Sequence, residues 1–374
     1  MAQQAWYKRY EEYRDEALRY FRAVRIIIPR KDAERIIYGN ELSSFIRLAD
    51  SRLIFESNII EKAGTKTLGE TREIIRQNFP SFPDDYSMAV LPQKLQDMKI
   101  AIEKFKDKTL IPSIVFGSKS RTEREVLQHR EAIVHMTNVS TAFITIYQRE
   151  WSKAIAKSDP NMTDDEIEKN LDILLVFLEG ISAVMKRPTI LSPDGLFTST
   201  RIQAIHRILA QGLLPEDAEV EAGEYRIHDI QIVGVDVKLP SMELVPAAMA
   251  KFITESNMRV GEVLAGKWSD FIMVAAEISY NFVRIHPFPD FNGRMSRLLL
   301  AMTLRAFGIP FSLTLRGRDA KSRNRYFYAL KRANHGDLKP YATLIAMRLV
   351  ESFREIDDNL RLAGHPALLE ITET

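Results

Sequence analysis

The chain has 374 residues, 45% of them hydrophobic and 27% charged, with glycine and proline scarce at 16 each; this is the composition of an ordinary soluble globular protein, long enough for two or three compact units. A formal charge of +2 argues against a nucleic-acid surface held by bulk electrostatics. Cysteine is absent, which removes disulfides, thiol catalysis and cysteine-ligated metals, and fits a reducing compartment.

The opening stretch, MAQQAWYKRYEEYRDEALRYF, is charged and aromatic, unlike the apolar core of a signal peptide. The most apolar run, Leu171–Met185, is too short to span a membrane and contains Asp172 and Glu179. A cytoplasmic protein with no nucleic-acid and no membrane partner is the expectation. Apolar residues at helical spacing predict amphipathic helices over 5–25 and 33–55, broken at Ile26-Ile27-Ile28-Pro29. Pro80, Pro83, Pro92 and Pro112 then punctuate a loop-rich stretch. Helical pattern resumes near Thr122, runs to Ala156, and restarts after Ser158-Asp159-Pro160 with Thr163 as an N-cap candidate. On these helices His129 and His135 read as surface positions. A helix over Ser199–Gln211 should stop at Gly212, with His206 on its apolar stripe as a core residue.

Tyr225–Leu239, YRIHDIQIVGVDVKL, is rich in β-branched residues, interrupted at Gly234 and closed by Pro240, and predicts a hairpin. Helices return from Glu243 onward, and the stretch after Gly364 is expected to fray. The fold class is therefore mostly α with one small β-hairpin.

The most informative stretch is His286–Arg297, HPFPDFNGRMSR. Apolar residues at helical spacing precede it (Phe271–Ile285) and follow it (Arg294 to the Gly308-Ile309-Pro310 stop), so the order is helix, tight loop, helix. A loop ending in Asn-Gly at a helix start leaves free N–H groups beside the positive end of the helix dipole, which is an anion site. Arg294 and Arg297 fall in the first turn, where cations oppose the dipole. Their placement points to a bound polyanion, most plausibly a phosphate chain.

These residues resemble the signature of Fic-domain proteins, H-P-F-x-D/E-G-N-G-R-x-x-R, through His286, Pro287, Phe288, Asp290, Asn292, Gly293, Arg294 and Arg297. GEYRIHDIQIVG (Gly223–Gly234) looks like the family's flap hairpin, which guides the target side chain and here contains Tyr225, Arg226 and Ile227. RNRYFYALKRANHGDLKPYATLI (Arg325–Ile345) looks like the region after the motif, giving Tyr326 and Asn334 as matches near the nucleotide base. FESNIIEKAG (Phe55–Gly64) resembles the inhibitory helix, S/T-x-x-x-E-G/N: Ser57 and Glu61 fit, and Lys62 departs.

The resemblance implies an N-terminal helical region over 1–115 carrying the inhibitory helix at about 50–64. A helical extension over 116–197 would follow, then a Fic core over 198–350 with its flap at 225–239 and catalytic loop at 286–297, and a C-terminal helix and tail over 351–374. It implies transfer of AMP from ATP to a Ser, Thr or Tyr hydroxyl of a target protein. His286 would be the base, since a neutral imidazole can take the hydroxyl proton. Asp290 would hold Mg²⁺ or Mn²⁺ on the phosphates, and Asn292 with the N–H groups around Gly293 would hold the α-phosphate. Arg294 and Arg297 would clamp the outer phosphates. Glu61 would pair with Arg297 in the place the γ-phosphate needs. The alternatives are removal of AMP, transfer of phosphocholine, phosphate or UMP, and a non-catalytic nucleotide-binding scaffold whose working surface is the helices of 1–55 and 122–190. The apolar helices leave room for a homodimer.

One departure matters. Phe291 stands where the family usually has glycine, although phenylalanine disfavours positive φ. Its ring could point outward, reshape the pocket or accompany a degenerate site, and Phe291→Gly is expected to raise nucleotide binding or turnover.

Overall fold

The computed structural model describes residues 6–27, 33–61, 63–78, 119–137, 140, 195–232, 237–264, 270–315 and 320–370. Its helices are α1 (Tyr10–Ile27), α2 (Ala33–Ile60), α3 (Leu68–Asn78), α4 (121–137), α5 (Ser199–Ala210), α6 (Val245–Leu264), α7 (Phe271–Ile285), α8 (Asn292–Ala306), α9 (Ala320–Asn334) and α10 (Lys339–Leu362). Among the described residues there is no strand, and none of the helices is long and apolar enough to cross a membrane. The apolar run at Leu171–Met185 and the helix expected after Pro160 lie outside the described residues.

Among the described residues α8 is the most thoroughly enclosed helix. All of its residues except Gly293 are buried, so its sequence mixes apolar residues with Arg294, Arg297 and Arg305 rather than dividing into an inner and an outer face. α8 packs along α7; α7 in turn packs on α6 and α10, while α10 also takes α1 and α9. The α7–α8–α10 junction is pinned by hydroxyls: Ser279 Oγ shares hydrogen bonds with Ser296 Oγ (2.9 Å) and Tyr341 Oη (3.0 Å). Such buried polar groups are tolerated because each has a partner. Arg305, at the far end of α8, donates to Pro310 O at 2.6 Å and to Asp50 Oδ1 on α2 at 2.9 Å.

Two of the helices near the loop, α7 and α5, have local reasons for their ends. Asp270 caps α7 by accepting from Met273 N at 3.0 Å, and the same carboxylate takes the Tyr10 hydroxyl at 2.6 Å, tying α1 to the cap. α5 is capped by the Thr198 side chain on Arg201 N and gives way to Gly212 at φ +66, as its sequence implied.

Three expectations need correction. The segment expected as a hairpin over 225–239 has no strand among its described residues, and positions 233–236 lie outside them. Arg226 is buried there, and its side chain donates to His286 O, His228 O and Pro240 O, so these carbonyls bond to a side-chain donor rather than to a strand ladder. The helix expected over 33–55 does not stop there: α2 runs unbroken to Ile60 and carries the Ser57–Glu61 motif as its own last turn. The stretch after Gly364 does not fray before residue 370, because Leu368 N donates to Asp357 Oδ1 at 2.7 Å and Ala367 and Leu368 are buried.

Candidate active site

Two left-handed residues bracket the loop between α7 and α8: His286 at φ +53 and Phe291 at φ +64. Neither is glycine, so each position carries local strain, of order 1 kcal/mol or more, that its surroundings must hold in place. His286 is held by two carbonyls of the last turn of α7. Its backbone N–H donates to Phe282 O, and its Nδ1–H donates to Val283 O at 2.9 Å. That second bond fixes the tautomer and leaves Nε2 as an acceptor. Burial pushes the imidazole pKa below its usual value, and Arg226 adds to this, while the Val283 carbonyl and the carboxylates of Glu61 and Asp290 oppose it.

The loop interior is closed by Asn292. Its Oδ1 accepts from Phe288 N at 3.0 Å and its Nδ2 donates to Phe288 O at 2.7 Å. The expected role of this amide as a phosphate ligand does not match its placement: the side chain is buried and spent on the loop backbone. Asp290 Oδ1 accepts from Phe291 N at 2.6 Å, leaving Oδ2 as the loop's remaining carboxylate oxygen. Phe291 is fully enclosed, with its ring 3.6 Å beneath the Arg294 guanidinium; of the three outcomes left open for this residue, an outward-pointing ring is not what the structure has.

His206 is the residue that sequence reasoning undervalued. It is buried as a core residue should be, yet both ring nitrogens are in use. Gly223 N donates to Nδ1 at 2.9 Å, Nε2 bonds to Asp290 O at 3.2 Å, and the ring stacks on Phe288 at 3.7 Å. Burial pushes its pKa down to about 3, with Arg294 and Arg207 adding to it against the Asp290 carbonyl. It thereby joins α5, the segment around Gly223 and the loop between α7 and α8. The signal available was slight: a histidine in an apolar stripe, facing a segment that starts with glycine.

The neighbouring segment holds the loop through Arg226. Its backbone N donates to Pro287 O at 2.9 Å and its Nε to His286 O at 2.9 Å, with Nη1 on His228 O at 2.9 Å and Nη2 on Pro240 O at 2.5 Å. Tyr225 places its hydroxyl 3.0 Å from Ser199 Oγ and its ring against Phe288. Ile227 faces solvent at 46% exposure.

On α8, Arg297 is buried and surrounded. Its Nε donates to Ser57 Oγ at 2.7 Å, its Nη2 to Ser57 O at 3.2 Å and Glu61 Oε1 at 2.8 Å, and its Nη1 to Tyr326 Oη at 3.4 Å. Glu61 keeps a third of its side chain open to solvent. Burial works against its charge, but the guanidiniums of Arg297 and Arg294 and the nearby His286 hold its pKa below the usual carboxylate range. The carboxylate also lies over Gly293: a Cβ there would come within 2.5 Å of Glu61 Oε1.

Arg294 has poorer company. Its Nη1 reaches Asn58 Oδ1 at 3.5 Å, and its Nε has no hydrogen-bond partner among the described residues. His129, expected on a surface, is fully buried beside it, with Nδ1 at 3.4 Å from Asn58 Oδ1. Of the remaining sequence candidates, Tyr326 is buried behind Arg297, and Asn334 accepts from Tyr280 Oη at 3.0 Å. The structure therefore brings Ser57, Glu61, His286, Asp290, Gly293, Arg294, Arg297 and Tyr326 to one place, and it engages Asn334 with α7.

Residues 196–304 match the model of the Fic/DOC family. A protein adenylyltransferase Fic from Nematostella vectensis is 28% identical over 286 residues, covering 74% of this chain and 60% of its own length. One from Culex quinquefasciatus is 26% identical over 232 residues, covering 62% of this chain and 41% of its own. The chain thus spans less than two thirds of the length of these relatives. Among solved structures, a Fic domain containing signaling protein from Bacteroides thetaiotaomicron aligns with a TM-score of 0.43 at 16% identity, over 79% of this chain and 98% of that one. The family match falls on residues 196–304, the stretch that contains α5, α7, the loop between α7 and α8, and most of α8.

Proposed function

We propose that this chain transfers AMP from ATP to a hydroxyl side chain of a target protein, and that Glu61 restrains the reaction. The observation that carries the reading is the seat of the Glu61 carboxylate, 2.8 Å from Arg297 Nη2 and directly over Gly293 at the start of α8. Free N–H groups, the helix dipole and two guanidiniums all favour an anion there. A carboxylate supplied by α2 and the outer phosphates of ATP compete for the same positive charges. The relatives bearing the name protein adenylyltransferase Fic supply the reaction class.

His286 is the base. With Nδ1–H committed to Val283 O, Nε2 has a lone pair for the proton of an incoming Ser, Thr or Tyr hydroxyl. A pKa below the ordinary value keeps the ring neutral at neutral pH. The hydroxyl oxygen bonds the α-phosphorus, the bond to pyrophosphate breaks, and the proton passes to Nε2. Arg294 and Arg297 then meet the negative charge of the departing phosphates once Glu61 is withdrawn.

Asp290 is the loop residue suited to Mg²⁺ or Mn²⁺. Among the described residues no group of three or more His, Asp or Glu side chains forms a metal cage. That suits an ion held mainly by phosphate oxygens and water with one carboxylate. When bound, it would neutralise charge on the phosphates. Asn292 acts on the reaction only by closing the loop through Phe288.

The test incubates purified protein with labelled ATP and Mg²⁺ or Mn²⁺. Glu61→Gly should self-label strongly where the wild type does so weakly, and adding His286→Ala should abolish the signal while nucleotide still binds. Silence in every variant, with several nucleotides tried, would favour the scaffold reading instead.

A further inference from the structure

We infer that Phe291 is the positioning residue for Arg294, holding that guanidinium ready for the nucleotide's outer phosphates whether or not α2 is in place; the inference rests on the function proposed above. The two arginines of the loop are supported in different ways. Arg297 is held by Ser57 and Glu61 from α2 and by Tyr326 from α9. Most of that support leaves with α2. Arg294 takes only a 3.5 Å contact from α2, through Asn58. Its principal neighbour is the Phe291 ring, with the guanidinium carbon 3.6 Å above the ring centroid.

Several observations make this contact more than incidental. The ring and the guanidinium are both buried, where attraction between a cation and a π face is stronger than in water. Phe291 is held at φ +64, a conformation that glycine adopts freely and phenylalanine does not. The strain is accepted, and the ring is fixed from its other side by the His206 imidazole, which meets it edge-on at 6.3 Å. Arg294 Nε has no partner among the described residues, so a donor is left over for a ligand. A glycine at this position would relax the backbone and leave Arg294 with no face to lie on. The sequence-based expectation for Phe291→Gly is accordingly reversed: losing the ring weakens the hold on polyphosphate.

The experiment measures ATP and AMP binding by calorimetry in the Glu61→Gly protein, alone and with Phe291→Leu or Phe291→Met added. Leucine and methionine keep an apolar side chain and the same backbone strain, and remove only the π face. The expected result is ATP binding weakened about tenfold, with AMP binding unchanged because AMP lacks the outer phosphates. In labelling assays kcat/KM for ATP should fall by a similar factor, and Phe291→Tyr should restore both ATP affinity and labelling. Unchanged AMP binding shows that each variant is folded. If ATP and AMP binding weaken equally in both variants, or neither changes, the positioning role is wrong. If Glu61→Gly alone binds no ATP, the proposed function fails first and takes this inference with it.

Discussion

The segment around Arg226 and the last turn of α2 both close on the loop between α7 and α8, and they do it with opposite kinds of bonding. Around Arg226 the donors are placed on carbonyls: the guanidinium serves His286, His228 and Pro240, the main chain serves Pro287, and His206 completes the join with both ring nitrogens. At the end of α2 the bonding is incomplete. Asn58 Nδ2, His129 Nε2 and Arg294 Nε are buried with no hydrogen-bond partner among the described residues, and the central ion pair includes a carboxylate one-third open to water. Buried polar atoms left unpaired cost free energy. One contact is thus fully bonded, and the other leaves buried donors unmatched. Further along, α2 is anchored by Arg52 on Glu355 at 2.6 and 2.8 Å and by Asp50 on Arg305. These anchors hold the rest of α2 independently of the bonds made by its last turn.

The sharpest way to break this contrast is Arg226→Ala. Removing the side chain leaves three carbonyls to find water or go unpaired, at roughly 1 kcal/mol or more each, so unfolding free energy should fall by about 3 kcal/mol. Urea denaturation measures it. Arg226→Lys should recover only part of the loss, since one ammonium cannot replace a fork reaching several carbonyls. A loss below 1 kcal/mol would mean that the segment is not a fixed support.

Next in size is Glu61→Gly, which strikes the incompletely bonded side. A charged pair partly open to water is worth less than a fully buried one, about 2 kcal/mol here, equivalent to roughly 30-fold in rate. Labelling should rise by that order, while the urea midpoint moves little because the other α2 anchors remain. A large loss of stability with no gain in labelling would make Glu61 a structural residue.

The contrast between the two contacts also marks how far the residues alone could carry the reading. The helices flanking the loop follow from local periodicity, whereas the meeting of Glu61 with Arg297 is implied by the family resemblance of the Ser57–Glu61 motif. What stayed hidden depends on side chains crossing long stretches of sequence. The alternation in Tyr225–Leu239 is that of a hairpin, and nothing local says that Arg226 turns inward to serve a loop sixty positions later. His129 sits among charged neighbours in sequence, yet Asn58 on α2 and Arg294 on α8 enclose it. Asn292 reads as a phosphate ligand, and only the distances to Phe288 show its amide bonded to the loop backbone.

The smallest expected effect is acid sensitivity, which separates the two contacts by the histidine each contains. His206, in the fixed support, is faced by Arg294, Arg207 and the Asp290 carbonyl, and burial lowers its pKa to about 3. His129, in the α2 seam, is also lowered by burial, with Arg294 and Arg297 adding to it. An unfolded chain takes up these protons near pH 6.5, whereas the folded chain refuses them until the pH is far lower. Stability from these groups is therefore complete above about pH 6.5 and declines as pH falls toward 3, because the unfolded state then binds more protons. For His206 the loss should be about 1 kcal/mol at pH 5.5 relative to pH 7.5. His206→Gln keeps a donor for the Asp290 carbonyl and does not titrate, so its urea midpoint should start lower at pH 7.5 and fall less on acidification. If it falls as far as the wild type, the proton is entering elsewhere, and His129 against its two arginines becomes the group to replace.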